Sequence, residues 1–347
     1  MATPIYTRSP RFISQVGTIN QEVRVDLFIW NSPDIIPTSA TISLSKPIPS
    51  SVVTTVNFDI SPYVREYINF VTFEPITLPA VNEEACPVGE YAYCTAKTYL
   101  DDVLQSTDEF IAFDGYGYFL DGNNPTVTPV LNDEGTFYIN ENNKNEGSIT
   151  IFDDSVDVIT VRYTNLRTGF VAAIVTKTFD VACFRNIHET FLGDGNKVEV
   201  LRDGVVEKTM YFEAVCENKY DVIKCDFVNR YGVWDRINFF KVSKSKFDMN
   251  SKEYNLMPTE LDYNVGSNIK QSFNINGNDS ISCNTGWVND NYGEVIKQLM
   301  LSEEIRLDNV PVKVMSKSTD LKLGINDKNI NYKIDFAYSF NTLNYIV

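Results

Sequence analysis

The sequence predicts an all-β protein, built as two or three tandem β-sandwich or β-barrel-like domains with one or two short helices. Three observations carry that expectation. Val23, Val25, Leu27 and Ile29 alternate with Glu22, Arg24, Asp26 and Phe28, the period of two that gives a strand one buried face. Turn pairs such as Asp101-Asp102, Asp203-Gly204 and Asp308-Asn309 fall between apolar runs. The 22 Phe, 19 Tyr and 3 Trp make the chain 13% aromatic, a residue class that packs well on pleated, half-buried surfaces.

In chain order, residues 41–44 and 52–58 continue the alternation across a Pro47-Ile48-Pro49-Ser50-Ser51 break. Ser61 then reads as an N-cap and Pro62 as a first-turn proline, which predicts a short helix from Tyr63 to Phe70. Tyr91, Tyr93, Thr95, Lys97 and Tyr99 alternate again, and Asp101-Asp102 turns the chain back toward Glu109–Phe113. Asp121-Gly122-Asn123-Asn124-Pro125 is the strongest breaker in the first half.

Beyond it, residues 136–140 and 148–152 read as one hairpin, and 156–163 with 170–179 as another around Asn165–Gly169. Lys197–Leu201 and Val205–Phe212 flank Arg202-Asp203-Gly204, the clearest hairpin signal in the chain. Residues 222–228 and 236–242 pair around Asn229–Asp235. The segment 243–264 is polar and broken by Pro258, which suggests a boundary. Val295, Ile296, Leu299 and Met300 lie at helical spacing behind Asn289-Asp290, predicting a helix over 289–302. Strands at 304–307, 311–315 and 332–338 close the chain. The expected division is therefore 1–122, an N-terminal β domain; 123–250, a central β-sandwich; and 251–347, a C-terminal β domain with one helix.

The net charge of −16 repels phosphate backbones and anionic surfaces, so neither sequence-specific nucleic-acid binding nor a membrane role is expected. The longest uninterrupted apolar run, Phe170 to Val175, is far too short to span a bilayer as a helix. The six cysteines, at 86, 94, 183, 216, 225 and 283, include no CxxC pair, although Cys86 and Cys94 are spaced to face each other across a hairpin.

His188 is the single histidine, and neither a Cys183/His188 catalytic pair nor a zinc set of Cys183, His188, Cys216 and Cys225 has the spacing of a known arrangement. Asp194-Gly195-Asn196 begins like a calcium loop but lacks its sixth-position glycine and distal glutamate. Asp101-Asp102 and Asp153-Asp154 read as turn residues. No catalytic residue, metal ligand or cofactor is expected, and the chain is expected not to be an enzyme. A glycoside hydrolase would need two carboxylates facing one cleft.

The densest unusual segment is Phe227–Phe240, in which Asn229, Tyr231, Gly232, Trp234 and Asp235 form the candidate turn or interface. Its Asn-Arg-Tyr-Gly followed by Trp-Asp resembles a recurring element in structural proteins of tailed phages of Bacteroidetes, including the crAss-like phages. Val312–Ser318 and Asn326–Phe336 resemble the ending of the same proteins. The resemblance covers about a tenth of the chain. It implies a virion protein of the portal-proximal neck or tail, a ring or hub subunit assembled in the host cytoplasm with identical copies and with other tail, neck or portal proteins. Genome DNA would pass near such a ring, and an acidic lumen would let it slide. The competing expectation is a tail-associated receptor-binding or adhesin protein.

Overall fold

The computed structural model describes residues 2–31, 36–49, 54–70, 83–140, 149–152, 158–176, 183–186, 195–216, 219–256, 266, 269–318 and 330–343. Of these, 56% lie in strands and 7% in helices, a multi-sheet β architecture with two short α-helices. No helix among the described residues is long and apolar enough to cross a membrane.

The first part of the chain contributes β1 (Thr3–Tyr6), β2 (Phe12–Gly17), β3 (Glu22–Trp30), β4 (Ile42–Pro47), β5 (Thr54–Asp59), α1 (Ser61–Arg65), β6 (Glu83–Ala85), β7 (Tyr91–Leu100) and β8 (Val103–Phe113). Five of these form a sheet in the order β1-β8-β7-β3-β4, and β2 pairs with β5 in a separate ribbon. The alternation of β3 does what its sequence requires: Val23, Val25, Leu27 and Ile29 are all buried. They meet Ile13 of β2 and Val56 and Phe58 of β5 in one cluster, so the two-stranded ribbon caps the larger sheet. Asp101 and Asp102 hold φ of 48° and 62°, the twist that a two-residue hairpin turn needs.

Helix α1 departs from expectation. It starts at Ser61 and ends at Arg65, a single turn where residues 63–70 had been expected. Ser61 is not its cap, because the hydroxyl is used elsewhere. It donates to the Ser9 carbonyl at 2.7 Å and accepts from the Arg11 amide at 2.8 Å, while Asp59 accepts from the Ser61 amide. The Ser61 hydroxyl thus ties the start of α1 to the Ser9–Arg11 segment and caps no helix amide.

The middle contributes β9 (Gly135–Asn140), β10 (Ile149–Phe152), β11 (Ile159–Asn165), β12 (Val171–Thr176), β13 (Cys183–Asn186), β14 (Asn196–Arg202) and β15 (Val205–Val215). A five-stranded sheet, β12-β11-β14-β15-β9, faces a three-stranded one, β10-β13-β6. Ile149 and Ile151 from the small sheet pack with Val161, Tyr163, Val200 and Phe212 of the large one. One sequence reading is corrected here. Residues 136–140 and 148–152 are not a hairpin: β9 runs parallel to β15, and β10 pairs with β13 in the other sheet. The short β6, from before residue 122, completes the three-stranded sheet, so pairing crosses the expected first boundary.

The remainder forms β16 (Ile223–Val228), β17 (Trp234–Phe239), β18 (Lys244–Asn255), β19 (Lys270–Asn284), α2 (Tyr292–Leu301), β20 (Ile305–Leu307), β21 (Val310–Val314) and β22 (Lys333–Tyr338). All seven strands share one sheet, β17-β16-β20-β21-β22-β19-β18. The expected division at residue 250 cuts through this sheet and through β18 itself. Helix α2 lies over the sheet and buries Val295, Ile296 and Leu299 against Cys225, Phe227, Phe239 and Phe336.

Candidate functional site

The segment Asn229–Asp235 connects β16 to β17, and its local form follows from its residues. The Asn229 side-chain oxygen accepts the Tyr231 amide at 2.9 Å, an Asx turn, and the Gly232 amide reaches the Asn229 carbonyl at 3.0 Å. Gly232 takes φ +80°, and a Cβ there would lie 2.5 Å from the backbone nitrogens of Asp114 and Gly115. Only glycine fits, for backbone conformation and for space.

This turn does not face solvent. It enters the place where the three parts of the chain meet, and each candidate residue has an inward partner. Asn229 Nδ2 donates to the Leu131 carbonyl at 2.8 Å, and the Tyr231 hydroxyl donates to Asp133 at 2.6 Å. The Arg230 amide donates to Gln298 of α2 at 3.1 Å, while its carbonyl accepts the Tyr116 amide at 2.8 Å. Gln298 also donates to Asp133, so one carboxylate joins the turn to α2. The Tyr231 ring packs beside Tyr6, Phe113, Leu131 and Phe152 in a cluster drawn from all three parts. Trp234 meets Phe70 edge-on, with centroids 5.8 Å apart.

The charges around the turn are set by burial. Lys208 of β15 donates to the Val130 and Asn132 carbonyls at 2.9 and 2.7 Å, and stands 4.7 Å from the Tyr231 ring centroid. Burial pushes its ammonium down to about 8, opposed by the nearby Asp133 and Glu134. Asp235 keeps part of its surface in solvent, yet packing raises its carboxyl to about 6 despite hydrogen bonds from the Arg236 amide and Asn229. Burial and then Asp133 hold the Tyr231 phenol well above its usual range.

Around the buried turn lies a polar rim. The Arg230 guanidinium sits over the rings of Tyr118 and Tyr231, and the Tyr118 hydroxyl donates to Glu294 of α2. Arg8 pairs with Glu303 at 3.2 Å, and Arg65 bridges Asp114 and Glu303 at 2.7 Å each. Sequence reading missed Leu131, Asp133, Lys208 and Gln298. They come from distant segments, and no local pattern marks a residue that acts by meeting another part of the chain.

Asn229, Tyr231 and Trp234 are at most 6% exposed and engaged within the chain, so these side chains point inward and not to solvent. What the arrangement does chemically is mechanical, since it locks three β units together.

The other candidates lie elsewhere. His188, Asp153-Asp154 and Asp194 fall outside the described residues, as do Asn326–Asn329 and the Cys183 side chain. Cys86 and Cys94 are unbridged and sit in different core clusters, so the facing pair suggested by their spacing does not form. Cys225 is sealed in the C-terminal core and Cys216 is exposed. Asp101, in the turn between β7 and β8, accepts the Glu22 amide of β3 at 2.9 Å. Among the described residues, no group of three or more His, Cys, Asp or Glu is placed to hold a metal ion. In comparisons with protein-family models and with curated proteins, the chain matches none.

Proposed function

We propose that this protein is a structural component of a tailed bacteriophage virion, a subunit of a neck or tail ring or hub that assembles with identical copies and with neighbouring tail, neck or portal proteins. One observation carries the reading. The segment on which the phage resemblance rests, Phe227–Phe240, contains the buried turn that ties the three β units to one another. A ring subunit has to pass load from one neighbour to the next without its own parts shearing. A junction in which several buried hydrogen bonds must break together resists that shear. The chain's function on this reading is burial and hydrogen bonding across subunit interfaces, with no catalytic step.

The test is made on particles. Peptide mass analysis of gradient-purified tailed particles is expected to return this chain in multiple copies, and antibody labelling to mark the neck or tail. A chain found only in the soluble lysate, and never in particles, contradicts the proposal.

A further inference from the structure

The hairpin β18–β19 is an arm. Of β19, strand β22 pairs only Ser280–Asn284, so among the described residues Lys270–Asp279 is paired by β18 alone, with Thr342 and Leu343 bonding back to Gly277 and Asn276 at its root. Ten residues of ribbon extend roughly 30 Å. Ribbons of two strands are marginal in water unless something packs on them.

This ribbon is apolar on both faces. Lys252, Tyr254 and Leu256 stand opposite Phe273, Gln271 and Ile269, so Tyr254, Leu256, Ile269 and Phe273 share a face, with the Tyr254 and Phe273 rings 5.4 Å apart. Nearer the root, the register passes from Asn250↔Asn276 to Lys252↔Phe273, three steps of β19 against two of β18, with Asn274 at φ +49°. The extra residue is in β19; along β18 the alternation is unbroken, so Phe247 and Met249, odd numbers of residues from Tyr254 and Leu256, lie on the opposite side. These apolar side chains, with Ile275 beside the bulge, are 41–62% exposed. At roughly 100 Å² each they offer on the order of 700 Å², close to the ~800 Å² per partner of a standard interface. Among the described residues β18 is the last strand of its sheet, an edge whose backbone can take a further strand.

We infer that the arm docks on a second copy of this chain, reaching from one subunit onto the next. The inference rests on the ring reading above, in which each subunit has identical neighbours. It also rests on charge: the two strands carry Lys244, Lys246, Lys252 and Lys270 against Asp248, Glu253 and Asp279, a net of +1 in a chain of net −16. The arm therefore meets an acidic body without repulsion. A two-faced ribbon cannot be covered by one flat surface, and a contact between unlike patches of identical subunits propagates around a ring.

The test is sedimentation of the full chain over a range of concentrations. Wild type is expected to self-associate, and a Tyr254→Ser/Phe273→Ser variant to do so at least tenfold more weakly. Met249→Lys is expected to weaken association independently, from the other face. All three residues are exposed in the single chain and lie outside its core clusters, so melting of the isolated subunit is expected to stay as in wild type, which separates lost docking from lost folding. Variants that associate like wild type overturn the arm's role and leave the virion reading standing. A wild type that stays monomeric to about 100 µM overturns self-docking and assigns the arm to a different tail protein. The virion reading fails separately, by absence of the chain from particles.

Discussion

The Tyr231 hydroxyl donates a 2.6 Å hydrogen bond to Asp133, across 98 residues of chain. Asp133 also accepts from Gln298, so one carboxylate holds the β16–β17 turn and α2 to the segment that precedes β9. Replacing Tyr231 with Phe keeps the ring packing and removes the donor. The expected loss is about 1.5 kcal/mol, the range for a hydrogen bond to a charged acceptor, read as a lower denaturant midpoint. An unchanged midpoint would mean that the bond adds nothing to the junction.

Gly232 is the least replaceable residue of the turn. Alanine there meets backbone atoms of Asp114 and Gly115 at 2.5 Å, and backbone cannot rotate away as a side chain can. With the added strain of positive φ, Gly232→Ala is expected to destabilise by about 3 kcal/mol or more. Gly204 holds φ +81° at a turn with nothing within 4 Å, so the same substitution there should cost only about 1 kcal/mol. Equal midpoints for the two variants would contradict the close packing at the junction.

Asp235 gives the junction a pH signature. Its folded value of about 6 lies above its ordinary 3.8, so between those values the folded chain holds a proton that the unfolded chain has released. The stability this contributes is present below about pH 4 and lost as pH rises to about 6; above that, the ionised carboxylate is a penalty of at most roughly 3 kcal/mol. Asp235→Asn removes the titration. The stability difference between wild type and variant is expected to change across pH 4–6 and to be flat from pH 7 to 8. Parallel profiles through the lower window would place the carboxylate in ordinary solvent.

Thiol chemistry reports on the cores. Burial pushes Cys94 and Cys283 up to about 12 and Cys225 well above its usual range, so their reactive thiolates are scarce. In the native protein, a thiol reagent is expected to modify the exposed Cys216 on mixing. It is expected to reach Cys94, Cys225 and Cys283 only as fast as the chain opens. Prompt labelling of Cys225 would show that the C-terminal core is not closed.

Local signals were legible wherever the cause was local. The alternation of Val23 to Ile29, the Asp203-Gly204 turn and the spacing of Val295, Ile296 and Leu299 each fix their own element, because a buried face or a positive φ leaves a mark within a few residues. The sequence of β18 has the composition of a polar break, although Phe247 and Met249 alternate with Lys246, Asp248 and Asn250. The bulge across Asn250–Lys252 breaks the pairing register, and solvent on both sides leaves no buried face to read. The parallel pairing of β1 with β8 and of β9 with β15 has no turn to announce it. At the junction, Asn229 and Gly232 were legible as turn formers. That their turn is buried was not, since Asp133, Lys208 and Gln298 acquire their roles only when the sheets meet.

The central claim, that this chain is a ring or hub subunit of a phage neck or tail, is tested most directly by electron cryomicroscopy of the assembled particle. The expected reconstruction shows a ring of neck or tail density that fits this arrangement of sheets repeated about the axis, with the β18–β19 arm of each copy lying on the next. A particle reconstructed to side-chain detail in which no neck or tail density fits this fold would contradict it.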